Sequence, residues 1–286
     1  MRAKPILALI PAVVILAGCE FDEVGDFGRY HEDFHYNYPL KAGGRVEVES
    51  FNGGIEITPW DQETVDISGT RYARSQNTIS EVKIDISHTA DAVSVRTTRP
   101  TERHGNFGAR YVIKVPRRAV VERLTTSNGS IRVSDAAGSA RFHTSNGGIH
   151  VSDFDGDLHA ETSNGTVELN NVAGPVSART SNGAIRGNGF HGAVDLSTSN
   201  GGIDLAFAAG PVPAIRAHTS NSGITLRLPG EVSARLSAST SNGSIASDFE
   251  MLTRGEVSKH HIEGTLGSGG PLIDLQTSNG GIRILR

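Results

Sequence analysis

The tetrad Thr126-Ser127-Asn128-Gly129 recurs down the chain. Its Asn falls at Asn128, Asn146, Asn164, Asn182 and Asn200, each 18 residues after the one before. Asn221 and Asn242 follow at steps of 21, Asn279 follows after 37, and Phe51-Asn52-Gly53-Gly54 is an imperfect early copy. A fixed period this short leaves no room for separate globular domains and calls for stacked units that share one long core. Laid over one another on the Asn, the units carry Thr two residues before it, from Thr126 to Thr277. Four before it stand Leu124, Phe142, Ala160, Ala178 and Leu196, and three after it Ile131, Ile149, Val167, Ile185 and Ile203. The sites between are polar, so each unit is two short strands with one apolar face.

Two architectures fit two strands per 18 residues. An Asn-Gly turn between alternating strands is a strong hairpin signal and points to an antiparallel meander. In a meander, though, equivalent corners do not touch, which leaves the recurrence of Thr and Ser unexplained, and the apolar face lacks a cover. If each unit is one closed coil, equivalent residues stack at about 4.8 Å and the two strand layers bury each other. Asn amides and Thr hydroxyls can then hydrogen-bond from coil to coil. A left-handed hexapeptide solenoid would need three similar hexads per coil, and only one corner is marked. The expectation is an all-β fold, a right-handed β-solenoid (β-helix) of about 18-residue coils with an N-terminal antiparallel β cap. A structural Asn ladder, its amides buried, is expected at Asn128, Asn146, Asn164, Asn182, Asn200, Asn221, Asn242 and Asn279.

Outside the repeats, Arg2 and Lys4 precede an apolar run from Ile6 to Leu16, which ends in Leu16-Ala17-Gly18-Cys19. The run is too short to span a bilayer and reads as an export signal. Cys19 is the only cysteine, which excludes a disulfide framework and a thiolate metal site. The arrangement resembles the lipobox of bacterial lipoproteins. That resemblance implies cleavage before Cys19, acylation of Cys19 and residence on a membrane, with Glu20 at the next position favouring the outer membrane. The expected divisions are a signal over 1–18, a tether over 19–41 and a solenoid domain over 42–286. Within the last, 61–120 is read as a cap of hairpins and 121–286 as regular repeats. Two alternatives stay open: Phe21, Phe27, Tyr30, Phe34, Tyr36 and Tyr38 either belong to the tether or pack over the first coil, and Phe249 to Gly270 is either an excursion or an unmarked coil.

On the early Phe51-Asn52-Gly53-Gly54-Ile55 unit, the strand ending Val115-Pro116, the repeated Thr-Ser-Asn-Gly-x-Ile corner and the closing Thr277-Ser278-Asn279-Gly280-Gly281-Ile282, the chain resembles the DUF4097 family of bacterial envelope proteins, commonly labelled adhesins. The resemblance covers about residues 40 to 286. It implies a β-solenoid and brings no catalytic residues with it.

The formal charge of −4 removes the basic footprint of a nucleic-acid partner. A polysaccharide enzyme would need carboxylates gathered on one patch. Glu161, Glu168, Asp195 and Asp204 face outward by the repeat register. Four residues after the Asn the column reads Arg132, His150, Glu168, Arg186, Asp204; three before it reads Thr125, His143, Glu161, Arg179, Ser197. Neighbours that offset one another make a solvated ladder. Asp153-Phe154-Asp155-Gly156-Asp157 looks like a calcium loop but lacks its distal Glu. His143, His150, His159, His218 and His260-His261 have no ligand spacing, so no metal or cofactor is expected. The resulting expectation is a lipid-anchored, non-catalytic envelope adhesin or scaffold that contacts glycan or protein. A polysaccharide-active enzyme and an envelope-stress sensor module are the alternatives.

Overall fold

The computed structural model describes residues 30–101, 105–253 and 258–286. Cys19, the signal segment, Phe21 and Phe27 lie outside the described residues. The chain opens with β1 (Tyr30–Pro39) and a first coil of β2 (Arg45–Glu49) and β3 (Ile55–Trp60). Next come β4 (Thr64–Ala73), a short helix α1 (Gln76–Glu81) capped by Ser75, β5 (Lys83–His88), β6 (Ala92–Thr98) and β7 (Gly108–Pro116). Six strand pairs follow: β8 (Val120–Thr125) with β9 (Ile131–Ala137), β10 (Ala140–Thr144) with β11 (Ile149–Asp155), and β12 (Leu158–Thr162) with β13 (Val167–Val172). The other three are β14 (Val176–Thr180) with β15 (Ile185–Phe190), β16 (Val194–Thr198) with β17 (Ile203–Ala206), and β18 (Ile215–Thr219) with β19 (Ile224–Arg227). Beyond them lie β20 (Ala234–Thr240), β21 (Ile245–Ser247), β22 (Leu252–Thr253), β23 (His261–Leu266), β24 (Leu272–Thr277) and β25 (Ile282–Leu285).

Every coil contributes one strand to each of two facing sheets, so the meander is excluded. In the first sheet parallel pairing runs β6, β2, β8, β10, β12, β14, β16, β18, β24, β20. In the second it runs β7, β3, β9, β11, β13, β15, β17, β19, β25, β21. A single pairing, of Val120 with Ala137, joins the two sheets within the coil of β8 and β9. Strict alternation decides which side chains go inside. Leu124, Phe142, Ala160, Ala178, Leu196 and Ala217 are fully buried from one sheet, and Ile131, Ile149, Val167, Ile185 and Ile224 from the other. They belong to one continuous core.

Spatial order departs from chain order at both ends. The first coil, β2–β3, lies between β6–β7 and β8–β9, so the outermost coil at that end is a later segment. At the other end the chain passes outward to β20–β21, then returns to place β24–β25 between that coil and β18–β19. Antiparallel strands close the ends: β5 pairs with β6, β4 with β7, β1 with β4, and β23 with both β20 and β22. These devices cover edges that would otherwise recruit another chain.

Two expectations need revision, and one alternative left open is decided. The segment 61–120 supplies the antiparallel strands β4 and β5, yet its β6 and β7 continue the parallel stack, because Val93, Val95, Ile113 and Val115 carry the same inward alternation as the repeats. Residues 30–39, expected in the tether, form β1, which pairs with β4 along its whole length and packs Phe34 and Tyr38 against the core. Phe34 meets the buried Tyr111 edge-on. The interval from Phe249 to Gly270 is an excursion that builds β22 and β23. Among the described residues no helix is long and apolar enough to cross a membrane.

Candidate functional site

The marked corner is a set of three ladders. Asn146, Asn164 and Asn182 each donate Nδ2–H to the Oδ1 of the preceding Asn at 2.6 Å, and Asn200 and Asn221 continue at 2.7 Å. Asn279 then donates to Asn221 and Asn242 to Asn279, both at 2.8 Å. Asn128 donates to Asn52, whose own amide ends on the Phe107 carbonyl at 2.9 Å. All eight predicted ladder residues are thereby brought together with Asn52, although the last two appear in reversed order. Every donor points the same way, so neighbouring amide dipoles reinforce one another. The amides are exposed to solvent, against the expectation of burial, because the corner turns outward at the Asn.

The Thr two positions earlier takes the buried place. Thr162 is 3% exposed; its hydroxyl donates to the Gly147 carbonyl of the adjacent coil at 2.8 Å and accepts the Gly165 N–H of its own turn at 3.2 Å. Thr180 and Thr198 repeat both bonds. The hydroxyls therefore bridge backbone to backbone rather than hydroxyl to hydroxyl, which offsets the cost of burying them. Gly follows the Asn at every ladder corner except that of Asn221, where Ser222 stands, and close stacking is the reason. A Cβ on Gly165 would lie 1.8 Å from the Gly147 carbonyl oxygen, and one on Gly183 1.7 Å from that of Gly165.

At the opposite corner Asp135, Asp153 and Asn171 adopt the left-handed conformation, with φ of 49°, 53° and 55°, and Asn171 donates to Asp153 at 2.6 Å. Asp and Asn tolerate that conformation, which accounts for the acidic turn at Asp153. Among the described residues no three His, Cys, Asp or Glu side chains gather to hold a metal ion.

Of the outward carboxylates, Glu161 and Asp195 lie on the first sheet, on β12 and β16, while Glu168 and Asp204 lie on the second, on β13 and β17. The two sheets face opposite ways, so the four do not share a patch. Glu161 sits 3.8 Å from His143 and 3.9 Å from His159; Glu168 sits 3.0 Å from His150 and 3.5 Å from Arg186. Asp204 pairs with Arg227.

The structure adds a feature that the sequence reading missed. A groove of about 690 Å³ runs over the outer face of the first sheet, across strands β2, β8, β10, β12, β14, β16, β18 and β24. Its side chains come from the column five residues before the Asn: Arg123, Arg141, His159, Ser177, Asp195, Arg216 and Asp274, in register from coil to coil. The floor includes Pro175, Ala193 and Ala214. Reading that column in the repeat alignment would have found it. A β-bulge opposite Glu47 turns Glu122 into the groove beside Arg123.

With this geometry in hand, comparison with known proteins gives the following. The family model described as Toastrack DUF4097 matches residues 44–285. No curated protein matches the sequence. A solved structure from Clostridium sporogenes, named as a candidate cell adhesion protein, is similar at 11% identity and a TM-score of 0.30, over 88% of this chain and 99% of its own. A candidate adhesin from Bacteroides fragilis is similar at 11% identity and a TM-score of 0.35, over 89% and 97%.

Proposed function

This chain belongs to the Toastrack DUF4097 family, and from that premise we propose that it is a non-catalytic envelope protein, held to a membrane by lipid on Cys19 and presenting its long outer faces to an envelope polymer or protein. The observation that carries the reading is the distribution of charge. Outward acids and bases offset one another from coil to coil; Glu161 and Asp195 lie on the opposite face from Glu168 and Asp204, so these four are not gathered for acid–base work, and the carboxylates of the first-sheet groove are interleaved with Arg123, Arg141 and Arg216. A rigid stack with repeating faces offers extended contact in place of a reaction centre. Cys19 stands 11 residues before β1, close enough for acyl chains there to hold the stack near a bilayer, and two or more chains on it supply the two signals that stable anchoring takes. Glu20 favours the outer membrane.

The test presents the full chain, in detergent, to envelope fractions and immobilised glycans, with product analysis on the same glycans. Binding without turnover is expected. Release of shortened oligosaccharide, abolished by Asp195→Asn or Asp204→Asn, would replace this reading with an enzyme. For the anchor, Cys19→Ser should abolish acyl labelling and free the protein from membrane fractions; continued labelling would end that part.

A further inference from the structure

We propose that the groove on the first sheet binds a linear, uncharged polysaccharide laid along the stack, with about one sugar per coil; this rests on the polymer-binding reading above. Three observations carry it. The groove runs across the strands, and its functional side chains repeat once per coil, at about 4.8 Å, a step close to the length of one sugar in an extended chain. An extended peptide would advance by about 3.3 Å per residue and fall out of step. It would also find no free strand edge, because every strand crossing the groove is paired on both sides.

The second observation is the chemistry of the lining. Arg123, Arg141, Asp195, Arg216 and Asp274 are planar groups able to make paired hydrogen bonds to vicinal hydroxyls, His159 and Ser177 can each add a single one, and the small apolar floor leaves room for a ring face. Charge is the third. Five carboxylates and three arginines line the groove, so a polyanion meets the acids and a polycation meets the arginines, whereas a neutral hydroxyl-rich chain can accept from Arg at some coils and donate to Asp at others.

Calorimetric titration of the full chain in detergent with neutral β-1,4-, β-1,3- and α-1,4-linked oligosaccharides of graded length tests this. For at least one linkage, affinity should climb with each added sugar and level off at about seven, the reach of eight strands at this spacing. Arg141→Ala and Asp195→Ala should each weaken binding by about tenfold, while Arg186→Ala on the opposite sheet leaves it unchanged. Both altered groove residues are on the surface, and unchanged thermal melts confirm that the variants are folded. Affinity independent of length, equal loss from Arg186→Ala, or tighter binding of polygalacturonate than of any neutral chain would overturn the proposal. If the chain holds envelope fractions but none of these glycans, the glycan assignment falls and a protein partner remains. If it holds neither, the binding reading falls with it.

Discussion

Between β8 and β19 the neighbour in space is the neighbour in sequence, and at the two ends of the stack it is not. In the middle each Asn bonds to the Asn 18 or 21 residues before it. At the ends Asn128 reaches back 76 residues to Asn52, Asn279 reaches back 58 to Asn221, and Asn242 reaches forward 37 to Asn279. The corner chemistry is nevertheless the same: Thr240 donates to the Gly280 carbonyl as Thr162 does to that of Gly147. Register therefore resides in the corner, and winding order resides only in the connections. Any segment that presents Thr, Asn and Gly in place can occupy a slot between two others.

The sharpest way to break this comparison is to remove one coil from each region. Deleting Ser163 to Thr180 takes out one 18-residue unit and rejoins Thr162 to Ser181, which preserves the motif, so the shortened chain should still unfold cooperatively with a modestly lower Tm. Deleting 272–286 removes the coil between β18–β19 and β20–β21 and strips both of their shared partner. That variant should lose cooperative unfolding and become open to proteolysis beyond Arg227. Equal tolerance of the two deletions, by circular dichroism and limited proteolysis, would show that the inserted coil is dispensable.

Next in size is the glycine ladder. Gly165→Ala should cost about 3 kcal/mol, since backbone must move on both sides of the new methyl. Gly230→Ala, with nothing within 4 Å of the added atom, should cost less than about 0.5. Chemical denaturation of the two variants checks the contrast.

The third test separates the buried ladder from the exposed one. Thr162→Val leaves a Gly carbonyl and a Gly N–H without their partner and should cost about 1 to 3 kcal/mol, while Asn164→Ala, at the solvent-facing corner, should cost about 1 at most. The reverse order would mean that the amide chain, not the hydroxyl bridge, holds the coils together. The smallest effect concerns the ion pair between the first coil and its neighbour. Arg117 hydrogen-bonds Asp61 and also sits 3.0 Å from Asp135. That hydrogen bond and charge hold the Asp61 carboxyl below its ordinary range. A lowered folded value means that the contribution is present above the unfolded value and is lost as pH falls through the folded one. Asp61→Asn should therefore lower Tm slightly at neutral pH, and the difference should vanish in acid.

The period made the middle of the molecule legible, because columns of a repeat alignment are rows of stacked side chains. Phe142 and Ala160 in one column and Thr144 and Thr162 in another could be assigned inward without coordinates. What the period could not carry was anything decided between distant segments. Ile245 keeps the repeat pattern yet is half-buried, because β21 is an outermost strand. Asn exposure was misjudged because a ladder can be satisfied by hydrogen bonds without being buried, and only the path of the corner decides which. The strand at Tyr30–Pro39 was hidden for a related reason: its partner β4 lies outside the repeats, so no copy existed to align it with. The groove was overlooked although its column was in view, since charges were weighed for neutralisation and not for the shape they line.

The position of β24–β25 also sets an order of events. Residues 272–285 follow β20–β21 in the chain, so during synthesis the edges of β18 and β19 must wait while the segment that will cover them is still arriving. Winding from one end cannot finish this fold; a late, long-range closure must, and loop closure over such distances is slow. The same closure works in reverse as a latch. The outermost coil β20–β21 is tied on through a segment gripped from both sides, so fraying from that end has to extract an interior layer before it can spread. A barrier of that kind lengthens the lifetime of the folded state without requiring a larger equilibrium stability.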